Sequence, residues 1–138
     1  MVVNNKVRKT KKNNNDKQQR TKTTKMTRVD AVFNVQNPWF THIKEGRKTI
    51  EGRLNKGQFA RLEVGNIVMW ENAGQRVKTK LVRIEKYVTF ADMLANEGLR
   101  HVLPGKDKIK DGVDVYRGFY SESKEAEHGV LAIQIELV

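Results

Sequence analysis

Four residues within six positions, Lys48, Thr49, Glu51 and Arg53, form the densest set of reactive side chains in the 138-residue sequence. In an extended segment, residues 49, 51 and 53 share one face and Lys48 takes the other. A hydroxyl, a carboxylate and a guanidinium then converge, a set able to hold a polar ligand. Arg53 can fix Glu51 or grip a phosphate through two parallel N–H donors, and Thr49 can donate or accept. Read from these residues alone, a surface strand laced with salt bridges is the simpler account. His42, His101 and His128 are scattered, without the spacing of a metal site, so no metal and no cofactor is expected. The absence of cysteine removes disulfides and thiolate chemistry together and fits a reducing compartment.

The elements that must position this cluster can be read on either side of it. Val29, Ala31, Phe33 and Val35 alternate as in a half-buried strand. Asn37 as N-cap and Pro38 at the first helical position open a short helix over 38–45, with Trp39, Phe40 and Ile43 on its apolar face and Gly46 as its stop. Segments 67–70 and 77–87 read as a hairpin around the turn formers Asn72 and Gly74, and the apolar phase of the second strand flips near 81 and 82, which predicts a bulge or barrel bend. Thr89 caps a helix over 90–97 that Gly98 ends. Leu99, Val102 and Leu103 continue as a second short helix, stopped by Pro104 and Gly105 before a polar loop at 106–111. Val115, Tyr116, Phe119 and Tyr120 fall at helical spacing, and Leu131, Ile133, Ile135 and Leu137 alternate in a final strand. The pattern is an α+β domain, rich in strands and decorated by short helices, over 29–138.

Charge divides the chain differently. Residues 1–28 carry ten Lys and Arg against Asp16 alone, a net of +9, which leaves +2 for the other 110 residues of a chain whose total is +11. This stretch is poor in apolar residues and is expected to be a disordered basic tail, in which Arg8, Lys9, Lys11 and Lys12 form a cationic cluster suited to nucleic-acid phosphates or an import receptor. No apolar run approaches the roughly 20 residues that cross a bilayer, and the start lacks a signal-peptide core, so no membrane partner and a cytoplasmic or nuclear location are expected. No heptad or long apolar edge specifies an oligomeric state.

Residues 35–53 (VQNPWFTHIKEGRKTIEGR) resemble the signature of the ASCH domain, the activating-signal-cointegrator homology domain: a strand, a short helix, then G-x-K-x-x-E-x-R, matched by Gly46, Lys48, Glu51 and Arg53. The resemblance extends through the turn at 64–66, the segment 93–104 with Glu97, Gly98 and Leu99, and the ending 116–137. It implies a PUA-like β-barrel of mixed, mostly antiparallel strands, with a cleft beside the motif helix that accepts RNA or a nucleobase-like ligand. Some small bacterial members look like amidohydrolases that deacylate acetylated cytidine with a lysine, a threonine nucleophile and a glutamate. Their lysine falls on Lys48 and their glutamate on Glu97, but their threonine falls where this chain has Glu51, leaving Thr49 as the neighbouring hydroxyl. The resemblance also covers members that cleave RNA.

The expected function is therefore RNA binding. Lys48, Thr49, Glu51 and Arg53 would line the cleft, Trp39, Tyr116 or Tyr120 would stack a base, and the tail would grip neighbouring phosphates. Core packing competes for each of the three aromatic residues. Two alternatives stand beside this reading. One is a nucleoside amidohydrolase with Lys48, Thr49 and Glu97 as catalytic residues. The other is a non-catalytic module that docks on the ribosome or a transcription complex.

Overall fold

Alternating burial on the five strands produces a sheet with an inside and an outside. The computed structural model describes residues 28–138. The strands are β1 (Ala31–Asn34), β2 (Ile50–Leu54), β3 (Ile67–Asn72), β4 (Gln75–Tyr87) and β5 (Val130–Leu137). The helices are α1 (Trp39–Lys44), α2 (Phe90–Glu97), α3 (Leu99–Val102), α4 (Ile109–Arg117) and α5 (Glu122–His128), with one 3-10 turn at Phe59–Arg61. The strand order is β1-β3-β4-β5-β2, parallel between β1 and β3 and antiparallel elsewhere. This mixed sheet curls into a half-barrel decorated by short helices, the α+β PUA-like barrel expected from the sequence.

Two devices shape the curl. Ala73 and Gly74 both have positive φ, at 48° and 83°, and form a two-residue loop between β3 and β4 whose twist matches the flanking strands. In β4 the register against β5 shifts between Leu81 and Arg83, so that Val82 is the extra residue of a bulge, at the place where the apolar phase changes.

Two apolar clusters share the sheet. Phe33, Val68, Trp70, Leu81, Ile133 and Ile135 fill the barrel side, where the Trp70 indole N–H donates to Thr79 Oγ1 at 2.8 Å and that hydroxyl donates to Val68 O at 2.9 Å. Both polar groups are thus satisfied in a dry interior. The helix side is filled by Ile50, Phe90, Met93, Leu94, Val102 and Tyr116. β5 therefore carries apolar side chains on both faces, with Leu131 and Ile133 in the first cluster and Val130 and Ala132 in the second. Trp39 packs against both clusters and marks the seam between them.

Several local details differ from the sequence reading. α1 begins at Trp39, Pro38 occupies the cap position after a cis peptide bond, and the Asn37 side-chain Oδ1 accepts instead from Thr41 N at 3.0 Å and Thr41 Oγ1 at 2.8 Å. α4 starts at Ile109, inside the stretch expected to be a polar loop. α5 was not expected, because only Glu125 of its seven residues is buried and no apolar period announces it. Its signals are the Ser121 cap, which accepts from Lys124 N, and Gly129 at the end. Arg28, counted with the tail by charge, is tied to the domain by hydrogen bonds to Asp30 at 3.1 Å and Gly65 O at 3.0 Å. Arg8, Lys9, Lys11 and Lys12 lie outside the described residues.

Close helix packing rests on Gly112. A Cβ there would stand 2.8 Å from Leu94 Cδ1 and 2.9 Å from Leu99 Cδ2. Gly112→Ala should destabilise the domain, because overpacking costs about 1–3 kcal/mol and the gain in helix propensity returns only roughly 1 kcal/mol. A urea melt with a lowered midpoint and unchanged slope would bear this out; a raised midpoint would refute it.

Candidate nucleic-acid interface

Gly46, with φ of +82°, turns the chain out of α1, and Lys48 N donates back to His42 O at 3.0 Å. Lys48 therefore precedes β2 and is not bound by the alternation of the strand. Its side chain runs inward and is only 2% exposed. The ammonium donates to Ile50 O at 2.7 Å and Val102 O at 2.5 Å, and stands 3.1 Å from Glu51 Oε1. Three acceptors meet three N–H donors, which is what lets a lysine be buried. Thr49 N, beside it, donates to His101 O at 3.0 Å, so residues 48 and 49 together satisfy carbonyls at the end of α3.

Glu51 and Arg53 share one face of β2. The Arg53 Nε donates to Glu51 Oε2 at 2.6 Å and its Nη2 to Asn34 O at 2.8 Å. Since β1 and β2 are the two edges of the sheet, this guanidinium bridges the open side of the half-barrel. It lies 4.6 Å above the Phe59 ring, which in turn stacks on Phe33. Lys48, Glu51 and Arg53 thus form a chain of charge, +, − and +, with one positive charge left over.

Above this floor opens a cleft of about 180 Å³, walled by Trp39 from α1, by Tyr116 of α4 with Phe119 and Tyr120 just after it, and by Asn34 of β1 with Gln36 just beyond it. Phe90 stacks on Tyr116 at 4.1 Å and on Tyr120 at 5.6 Å, which holds both rings in place. Trp39 and Tyr120 are half-buried, while Tyr116 is buried. The Tyr116 hydroxyl has no hydrogen-bond partner among the described residues. It lies under Gly52, where a Cβ would come within 2.6 Å of it, so glycine is required for this approach.

Of the residues expected to converge, the structure brings together Lys48, Glu51, Arg53, Trp39, Tyr116 and Tyr120. Thr49 is elsewhere: it lines a separate hollow with Ile43, Ile135 and Leu137, which corrects the expectation that residues 49, 51 and 53 share a face. Thr49 is only half in the ladder: its O accepts from Ile135 N at 2.9 Å, but its N donates to His101 O and not to β5. Glu97 is not among the cleft residues either. Its carboxylate accepts from the Arg83 guanidinium and, at 2.5 Å, from Tyr87 Oη, fastening α2 to β4. Gly52 and Phe119 line the cleft without having been singled out. No side-chain chemistry flags a glycine, and Phe119 reads as core by its spacing.

The charges move the titrations in defined directions. Burial lowers the pKa of the Lys48 ammonium, and Glu51 partly offsets this. For Glu51, burial pushes the pKa up, but Lys48 and Arg53 more than reverse it and hold the carboxyl below the usual glutamate range. A carboxylate with a depressed native pKa stabilises the fold above the unfolded-state pKa of about 4.3, and that stability is lost as pH falls through the native value. Glu51→Gln should therefore flatten the acid limb of the stability curve, read as the thermal midpoint against pH. An acid limb as steep as that of wild type would contradict the pairing.

Among the described residues, no cluster of three or more His, Asp and Glu side chains is placed to hold a metal ion, and no helix is long and apolar enough to cross a membrane. The sequence matches the ASCH domain over residues 33–138. The chain belongs to the ASCH family. Two solved structures are similar to it: the hypothetical protein PH0355, 39% identical with a TM-score of 0.74, and protein PF0455 from Pyrococcus furiosus, 37% identical with a TM-score of 0.66. Each alignment covers 78% of this chain, with 98% of PH0355 and 96% of PF0455. No curated protein matches the sequence significantly. The cleft is therefore a feature of this chain's ASCH domain, with Lys48, Glu51 and Arg53 of the G-x-K-x-x-E-x-R motif as its floor.

Proposed function

We propose that this ASCH-domain protein binds RNA, with the cleft receiving one base of a single-stranded segment and the basic residues of the N-terminal stretch adding a grip on phosphates. The observation that carries the reading is the pairing of a buried floor of net positive charge with flat aromatic walls. A nucleobase matches both: its face stacks on Trp39 or Tyr120, and its polar edge meets the Glu51 carboxylate and the Arg53 guanidinium. Binding fits the site better than hydrolysis. The three Lys48 N–H groups are already engaged, Thr49 opens on another hollow, and Glu97 is committed to Arg83 and Tyr87.

Filter binding of the full chain to single-stranded RNA, single-stranded DNA and duplex DNA across a salt series tests the proposal. A preference for single-stranded RNA that survives at high salt is expected, because stacking and base-edge contacts persist when phosphate contacts are screened. Equal affinities that collapse together as salt rises would leave only the charge of residues 1–28 and overturn it.

A further inference from the structure

We infer that a second nucleotide subsite adjoins the cleft, in the groove between the loop after β2 and the start of α5. The inference rests on the RNA reading above. This groove, of about 660 Å³, shares Arg53, Phe119 and Tyr120 with the cleft, so the two hollows adjoin across these three side chains. Its remaining lining includes Lys56, Phe59, Ser121 and Lys124, and no acidic side chain.

Three features select a polynucleotide as the occupant. First, the charge is one-signed. Lys56 and Lys124 are both exposed on the groove, while Arg53, also in its lining, is already paired with Glu51. Lys124 is 3.6 Å from Glu127, a pair more than half exposed on each side and so easily exchanged for a phosphate. Secondly, Phe119 stands at the junction of the two hollows and is 52% exposed, an uncovered ring where a base following the first would stack. Thirdly, the space is open. Gly57, in the loop that forms one rim, has nothing within 4 Å of a Cβ position, so a backbone can pass beside it. A strand with one base in the cleft thus has its next phosphate beside Lys56 and Lys124 and its next base on Phe119.

The test uses the full-length chain and the double variant Lys56→Ala/Lys124→Ala, in which both changes are at exposed positions. The probes are nucleoside monophosphates, random-sequence dinucleotides, a random-sequence RNA octamer and an octaglutamate peptide. For wild type, affinity should rise at least tenfold from mononucleotide to octamer. The double variant should keep its mononucleotide affinity, lose most of that gain, and show a salt slope for the octamer shallower by about 0.7, at about 0.7 per single-strand phosphate contact. Unchanged octamer affinity and slope in the double variant would overturn the second subsite while leaving the cleft reading intact. Failure of every nucleotide probe to bind would overturn the cleft reading and this inference with it. Lysine-dependent binding of octaglutamate without matching RNA binding would assign the groove to an acidic protein segment and also overturn it.

Discussion

Replacing Glu51 by alanine is expected to lower the unfolding free energy by about 3–5 kcal/mol, because it leaves the buried Lys48 and the half-buried Arg53 facing each other without their shared counter-ion. Lys48 is 2% exposed and would keep only Ile50 O and Val102 O, while Arg53 would keep Asn34 O and the Phe59 ring. For a domain of this size the loss corresponds to a fall in Tm on the order of 10–20 °C. Lys48→Met conserves volume and leaves Glu51 paired with Arg53, so its main penalty is the two carbonyls left without their donor, at about 1–3 kcal/mol each. Thermal and urea melts of each variant against wild type check both losses. A Glu51→Ala protein as stable as wild type would mean that water reaches the triad and that the cleft floor is not the dry, charged surface described.

Removing the aromatic walls should weaken binding as well as the packing that Trp39 and Tyr120 lend the apolar clusters. Trp39 and Tyr120 are each only half-buried, and both face the cleft. Truncating a stacking ring to alanine costs about 1–3 kcal/mol per base, which is roughly a five- to hundredfold rise in Kd. Trp39→Ala and Tyr120→Ala should each weaken single-stranded RNA binding by that factor at high salt, with little change in the salt slope, because neither ring touches a phosphate through charge. Fluorescence anisotropy with a labelled oligonucleotide reads both quantities. If either variant changed the slope and not the high-salt affinity, the walls would not be stacking platforms.

The same cleft explains which parts of the protein were legible beforehand. Alternation announced β5, the change of phase at 81 and 82 announced the bulge, and the Asn and Gly of the 71–75 turn announced the hairpin. These are local patterns, and the backbone obeys them. The depth of Lys48 is different. It depends on a carbonyl of α3, fifty-four residues away in sequence, and nothing near Lys48 distinguishes it from a solvated lysine. The setting of Thr49 has a related cause: its O still pairs with Ile135 of β5, but its N turns to His101 O, a partner fifty-two residues away that no local pattern announces. Glu97 matched a sequence pattern, yet Arg83 and Tyr87, which the bulged β4 presents, claim its carboxylate.

Tyr116 illustrates how packing and site chemistry overlap. Its ring is core, stacked on Phe90 and 5% exposed, and its hydroxyl is nonetheless unpartnered beneath Gly52 at the cleft. Burial raises the phenol pKa well above the ordinary value, and the neighbouring Glu51 adds to this, so it stays a neutral O–H donor at physiological pH. The aromatic spacing in the sequence identifies the ring. Only the fold reveals that the polar end points toward the motif.

A base that enters the cleft meets Trp39, and tryptophan fluorescence reads that contact directly. The described domain holds two indoles: Trp39, half-buried in the cleft wall, and Trp70, fully buried and hydrogen-bonded to Thr79. Titrating the full chain with single-stranded RNA at high salt should quench Trp39 as a base stacks on it. Trp39→Phe should abolish the quenching while the emission of Trp70 stays constant. RNA binding that leaves the Trp39 signal unchanged would place the nucleic acid elsewhere on the protein and contradict the account.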